Sequence, residues 1–192
     1  MTIIAKAIAT RKAKERIVFV LRTYLEAELE ALLPAGVTLP VPDDDAYFLT
    51  SRRVDAELLA RHRVACLVEV VRPSRNQRDL SAVGDVHGVE VYLPLRVRLV
   101  FAAPSSYTPQ TIQGKTQTRE EWIEWAASHY NGAALNAIFK RGRDNYSIAD
   151  ILLEADQALQ DVLPEVELEV GGTIIDLELI QTATLPMQAE WT

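Results

Sequence analysis

One cysteine, three histidines and no lysine or arginine beyond Arg143 leave this 192-residue chain short of the residues that most often carry chemistry. A lone Cys66 excludes an intramolecular disulfide. Within "VACLVEVV" it reads as a small buried hydrophobe, and an intracellular, reducing site of synthesis is expected. Purely apolar runs stop after a few residues, as in Ile17–Leu21, so a membrane-spanning helix is not expected. The N-terminus lacks the continuous apolar stretch of a secretory signal. Acids are absent before Glu15, as in transit peptides, but the pattern from Ile17 to Leu33 continues as helix into apparent core. No phosphate-cradling Walker loop, G-x-G-x-x-G or G-x-S-x-G nucleophile elbow occurs. No cofactor is therefore expected.

Apolar residues make up 48 % of the chain, enough for a sizeable core. Their spacing predicts an amphipathic helix over Thr2–Leu33, burying Ile17, Leu21, Tyr24, Leu25, Leu29 and Leu32 against a polar side of Arg22, Glu26, Glu28 and Glu30. A short helix is predicted at Asp55–Arg61 and a buried strand at Arg63–Pro73. In "VEVYLPLRVRLVF" every odd position from Val89 to Phe101 is apolar, which is a strand with one face to the core. Pro94, lacking an amide donor, suggests an edge or a bulge. Thr118 and Glu121 form a capping box before "EEWIEWAASHY". A break is expected at Asn131-Gly132, then a shorter helix over Ala133–Lys140. Ser147 and Asp150 repeat the capping pattern before a helix burying Ile148, Ile151, Leu152, Ala155, Leu159 and Val162. "EVELEV", Gly171-Gly172 and "TIIDLELIQTATL" read as a terminal hairpin. The reading is one α+β domain over 1–192: a mainly antiparallel sheet, a long N-terminal helix and two to three further helices packed on it. Residues 1–16 are a candidate arm, with long loops at 72–88 and 104–118.

Two segments suggest metal chemistry. "GDVHG", Gly84–Gly88, resembles the segment with which dinuclear phosphoesterases present their first ligands. Such a site needs further histidines and carboxylates on separate loops. The chain has only His62, His87 and His129, a polar stretch precedes the segment and a long strand follows it, so a turn is the better reading. Asp43-Asp44-Asp45 lacks the alternate ligand positions, central Gly and distal Glu of a calcium loop, and reads as a solvated turn. No metal site is assigned. His129 shares a helix with Trp122, Trp125 and Tyr130, where packing or a helix-end position suits it. Trp122 and Trp125, three apart, either both face the core or include an anchor for a subunit contact.

Charge is distributed unevenly. Residues 144–192 carry eleven acids and no Lys or Arg, whereas all twenty basic residues lie in 1–143 against sixteen acids. Acids in the last quarter argue against that part gripping phosphates. Glu165, Glu167, Glu169, Asp176 and Glu178 are candidates to line a channel or to meet a basic neighbour. Arg72, Arg75, Arg78, Arg96 and Arg98 are the matching candidate contacts. A hairpin beside the Arg96/Arg98 strand would form cross-strand ion pairs.

Long polar loops, a one-sided strand, a charge split and no catalytic constellation suit a subunit of an assembly. The order of elements resembles the tail terminator (neck, or tail-completion) proteins of tailed bacteriophages: the helix Ile17–Leu33, the strand "CLVEVVRP", a polar excursion, the alternating strand "VYLPLRVRLVF", then a helix before paired terminal strands. The resemblance implies a structural virion protein with no catalytic residues. It would form a homo-oligomeric ring, commonly a hexamer, assembled in the host cytoplasm. The ring would cap the tail tube, meet the head-side connector and pass DNA without specific binding. Another head–tail joining or baseplate component is the nearest alternative, and a small metal-dependent phosphoesterase, resting on "GDVHG", the more distant one.

Overall fold

The computed structural model describes residues 2–50, 56–71, 77–83, 86–103, 111–112, 114–142, 151–163 and 168–186. α1 (Thr2–Leu32) runs through residue 16 without interruption, so the candidate arm is the first part of one helix. Ala13, Ile17, Val20, Leu21, Leu25 and Leu29 form its buried stripe at three- and four-residue spacing. Two expectations shift at its end. Leu32 is exposed, and Glu28, between Leu25 and Leu29 on the buried stripe, is covered.

The sheet has the order β1-β2-β4-β8-β7, with β3 also on β4. Its strands are β1 (Tyr47–Phe48), β2 (Val64–Val70), β3 (Gln77–Val83), β4 (Val86–Ala103), β7 (Ile151–Leu163) and β8 (Leu168–Pro186). β1 pairs parallel to β2 and every other pairing in the sheet is antiparallel. Leu93, Leu95, Val97, Leu99 and Phe101 of β4 face α1 and α3 (Arg119–Leu135), as the period-two pattern requires. Each such buried aliphatic side chain contributes about 1.5–3 kcal/mol. On the opposite face α2 (Ala56–Arg61) lays Leu58 and Leu59 over Ala65, Leu67 and Val100. β2 is thereby buried on both sides over Val64–Val68.

Several local expectations yield to tertiary pairing. The expected loop at 72–88 contains β3, whose pairing with β4 closes at Val83↔Val86. Pro94 is not on an edge strand: β4 lies between β2 and β8. Its carbonyl accepts from the Val71 amide, so its nitrogen points the same way, toward the end of β2. β2 serves β4 as far as Leu95 and β3 takes over at Val91, so the missing donor falls in the gap between them. The 104–118 loop contains a miniature hairpin of β5 (Thr111–Ile112) and β6 (Lys115–Thr116), turning near Gly114 at φ +80°.

The capping box at Thr118 and Glu121 forms as read. The helix does not break at Asn131-Gly132. Asn131 is buried and its amide donates to the Thr173 hydroxyl at 2.8 Å, tying α3 to β8. Gly132 lets Leu32 of α1 approach to 3.3 Å of where a Cβ would stand. α3 then slackens into a π-helical stretch, Asn136–Gly142.

Gly171-Gly172 is not a turn. β8 runs straight through it, opposite Phe101 and Val100. A Cβ on Gly171 would stand 2.5 Å from the Phe101 ring and 2.6 Å from Ile123, and one on Gly172 2.7 Å from the Leu99 carbonyl. The glycines exist for close approach, not for reversal. The predicted cap at Ser147 and Asp150 lies outside the described residues, and from Ile151 the predicted helix is replaced by β7, which pairs with β8 from Ile151↔Leu179 to Leu163↔Leu168, with one register shift between Glu154 and Gln157. Without β7, β8 would present a long open edge, and pairing it outweighs the helical period of the segment. The two strands close on each other at Leu163↔Leu168 rather than at the glycines.

Candidate functional site

The charged residues singled out on β4 converge on the face of the sheet away from α1 and α3. Arg96 lies across from Glu69 on β2 and Asp176 on β8. Its Nε donates to Asp176 Oδ1 at 2.6 Å and its Nη2 to Oδ2 at 2.7 Å, a bidentate fork that fixes the relative orientation of both groups. Arg98 sits one diagonal step along and pairs with Glu69 at 2.8 Å. The ion pairs anticipated for neighbouring strands thus form, but inside one copy. The four groups make a charge-balanced ladder running Asp176–Arg96–Glu69–Arg98, with side chains between 16 % and 33 % exposed. Asp176 raises the pKa of the Arg96 guanidinium through this hydrogen bond.

The other residues singled out from sequence are scattered. Arg78 stands in β3 opposite Glu90. Glu178 is opposite Pro94 and Leu152, and Glu169 opposite Ala103 and Val162 near the other end of β8. Arg72, Arg75, Glu165 and Glu167 lie outside the described residues. Trp122 and Trp125 are half-buried at the rim of the core. Trp122 meets Phe101 edge-to-face at 5.9 Å, and Trp125 stacks on His129 at 4.2 Å. His129 Nδ1 lies 2.8 Å from the Trp125 carbonyl oxygen. Of "GDVHG", Gly84 and Asp85 lie outside the described residues, while His87 and Gly88 stand in β4 opposite Leu185 and Thr184.

The sheet also changes width along its length. Four strands, β2, β4, β8 and β7, lie abreast where β4 runs from Leu95 to Phe101, and β1 adds a fifth at the level of Arg98 and Leu99. β2 ends opposite Leu95, and β7 ends opposite Leu179 of β8. Beyond that level β3, the first half of β4 and residues 180–186 of β8 continue as a three-stranded tongue, roughly 25 Å long at about 3.3 Å per residue. Among the described residues, β3 pairs with β4 alone and this part of β8 pairs with β4 alone. Neither outer edge of the tongue therefore has a further strand beside it among the described residues. Sequence periodicity found the central strand but not the tongue, because no local signal tells where a neighbouring strand stops.

A second cluster was not foreseen as a unit. The acids at 43–45 occupy a short 3₁₀ turn, Asp44–Ala46, and are sorted by it. Asp44 turns to Arg22 at 3.1 Å. Asp43 and Asp45 turn toward His62, so that one ligand atom from each of the three lies within 4.8 Å of the others. His62 is 4 % exposed, and its Nδ1 is buried with no hydrogen-bond partner among the described residues. A buried polar atom left so costs about 1–3 kcal/mol.

The chain matches no protein-family model and no curated protein.

Proposed function

We propose that the chain is a ring-forming structural subunit of a phage tail, a tail terminator that caps the tube and leaves a channel for DNA. The observation that carries this reading is the tongue, whose two edges have no further strand beside them among the described residues. An exposed sheet edge is an association surface unless something covers it. The two edges here belong to different strands, β3 and β8. Both run antiparallel to β4 and hence parallel to each other. Joining the β8 edge of one copy to the β3 edge of the next is a heterologous contact, which closes into a ring when the rotation allows. The order of elements supports the same reading: long helix, buried strand, β3–β4 excursion, helix, then the strands β7 and β8.

The internal ladder narrows the part the acids play. Arg96 and Asp176 satisfy each other within one copy, so these groups hold the sheet rather than a neighbour. Glu169 stands near the start of β8, at the end of the sheet opposite the tongue, and Glu165 and Glu167 precede it in sequence. Facing a channel, such acids repel phosphates and keep DNA from sticking. The test is light scattering and electron microscopy of the untagged chain, alone and co-expressed with the tube protein of the same genome. Closed rings with masses at multiples of 21.4 kDa, and tubes of limited length, are expected. A chain that stays monomeric in both settings and leaves tube growth unchanged overturns the reading.

A further inference from the structure

We propose that Asp43, Asp45 and His62 bind a divalent transition-metal ion of the zinc class. This site does not depend on the ring reading. Its strongest support is His62, whose Nδ1 is withdrawn from solvent, has no hydrogen-bond partner among the described residues and faces Asp45 Oδ1 at 3.6 Å. That separation is too long for a hydrogen bond. It is close to the spacing of two ligands on one tetrahedral zinc ion, roughly 3.3–3.5 Å for bonds of about 2.0–2.1 Å.

The surroundings hold the three ligands for this use. The backbone amide of His62 bonds to the Leu58 carbonyl at 2.8 Å, in the last turn of α2, and its ring stands edge-on to Phe48 at 6.1 Å. Both contacts set the direction of Nδ1. Asp43 occupies the N-cap position of the 3₁₀ turn, yet its side chain makes no capping bond and stays available. Asp45 gives one oxygen, Oδ2, to Arg61 at 3.6 Å, which leaves Oδ1 for the ion. Both aspartates are exposed at the surface.

Two carboxylates and a neutral imidazole balance a doubly charged ion. An imidazole among three ligands favours zinc and its neighbours over calcium or magnesium, which take oxygen ligands. Water would complete the coordination. The ion would pin the segment before β1 to the end of α2, across the edge of the sheet.

The experiment uses the untagged full chain, stripped with a chelator and then titrated with Zn²⁺ by calorimetry. Co²⁺ absorbance serves as a spectroscopic check on ligand geometry. One equivalent of zinc should bind. Asp43→Asn and Asp45→Asn should each weaken binding about tenfold or more, and His62→Gln should weaken it further. At about a hundredfold excess over Kd, zinc should raise the melting temperature by roughly 5–10 °C. Excess Mg²⁺ should not compete. The aspartates are exposed, so their variants keep the fold and remain informative even where His62→Gln does not. No uptake by the folded wild-type chain overturns the proposal and leaves His62 as a simple ion-pair partner of Asp45. Uptake unchanged in both aspartate variants, or shared equally with Mg²⁺, overturns it too.

Discussion

Gly171 occupies a place where even one methyl group collides with the Phe101 ring and with Ile123. Both neighbours are at most 2 % exposed, so neither moves aside freely. Gly171→Ala is expected to cost roughly 1–3 kcal/mol through overpacking. Urea unfolding measures it, and adding Phe101→Leu should recover part of the loss. If Gly171 stood in a turn, the second substitution would bring no recovery. Cys66 makes a different use of the same core. Burial pushes its thiol pKa up to about 12, and the residue is fully covered. Only the thiolate reacts, so labelling near neutral pH should require opening of the sheet around β2. The labelling rate should therefore follow global unfolding as urea is added. Fast labelling of the native chain would contradict the burial.

At the scale of elements, α3 is the clearest case of local chemistry agreeing with the fold. Thr118 accepts from the Glu121 amide, and Glu121 accepts from the Thr118 amide at 2.9 Å and from Lys115 at 2.7 Å. Thr118→Ala should cost about 1 kcal/mol of stability, measured by chemical denaturation. Lys115 and the Thr118 amide hold the Glu121 carboxyl below its ordinary pKa. A carboxylate depressed in the folded state contributes fully above its unfolded pKa and loses that contribution as pH falls through the folded value. The stability difference between wild type and Glu121→Gln should thus be present near neutral pH and vanish on acidification below the usual carboxylate range. At its other end, the Asn131–Thr173 bond and the approach of Leu32 to Gly132 carry the helix past a pair that would end it in isolation.

On the scale of the whole molecule, the proposed ring would be built through the tongue. β3 and β8 run in the same direction on its two sides, so a head-to-tail ring brings unlike edges together as a parallel pair. A two-fold dimer would bring like edges together as an antiparallel pair. Arg78 and Thr182 lie level across the tongue, both opposite Glu90 of β4. The double variant Arg78→Cys, Thr182→Cys should oxidise into a ladder of covalent multimers on a denaturing gel, ending at the ring. Each single variant should stay monomeric there. Dimers from Arg78→Cys alone would instead mark a two-fold contact and remove the geometric basis of the ring. Salt is expected to matter little to this contact, since it rests on backbone pairing rather than exposed charge.

The sequence by itself determined the α+β class, the buried stripe of α1 from Ile17 to Leu29, the core face of β4 and the capping box of α3. These rest on periodicity and on contacts within a few residues, which the chain carries with it wherever it folds. Tertiary structure decided the rest, for identifiable reasons. Gly171-Gly172 suits a reversal or a close approach equally well, and the Phe101 ring selects the second. Residues 151–163 repeat at helical spacing, but the free edge of β8 draws them into the sheet. Arg96 and Asp176 are eighty residues apart, and the β4–β8 register alone makes them partners. His62 and the acids at 43–45 carry no shared local signal. Parallel pairing of Tyr47 with Cys66 and Phe48 with Leu67 sets the two segments side by side, and that register brings Asp45 to the imidazole.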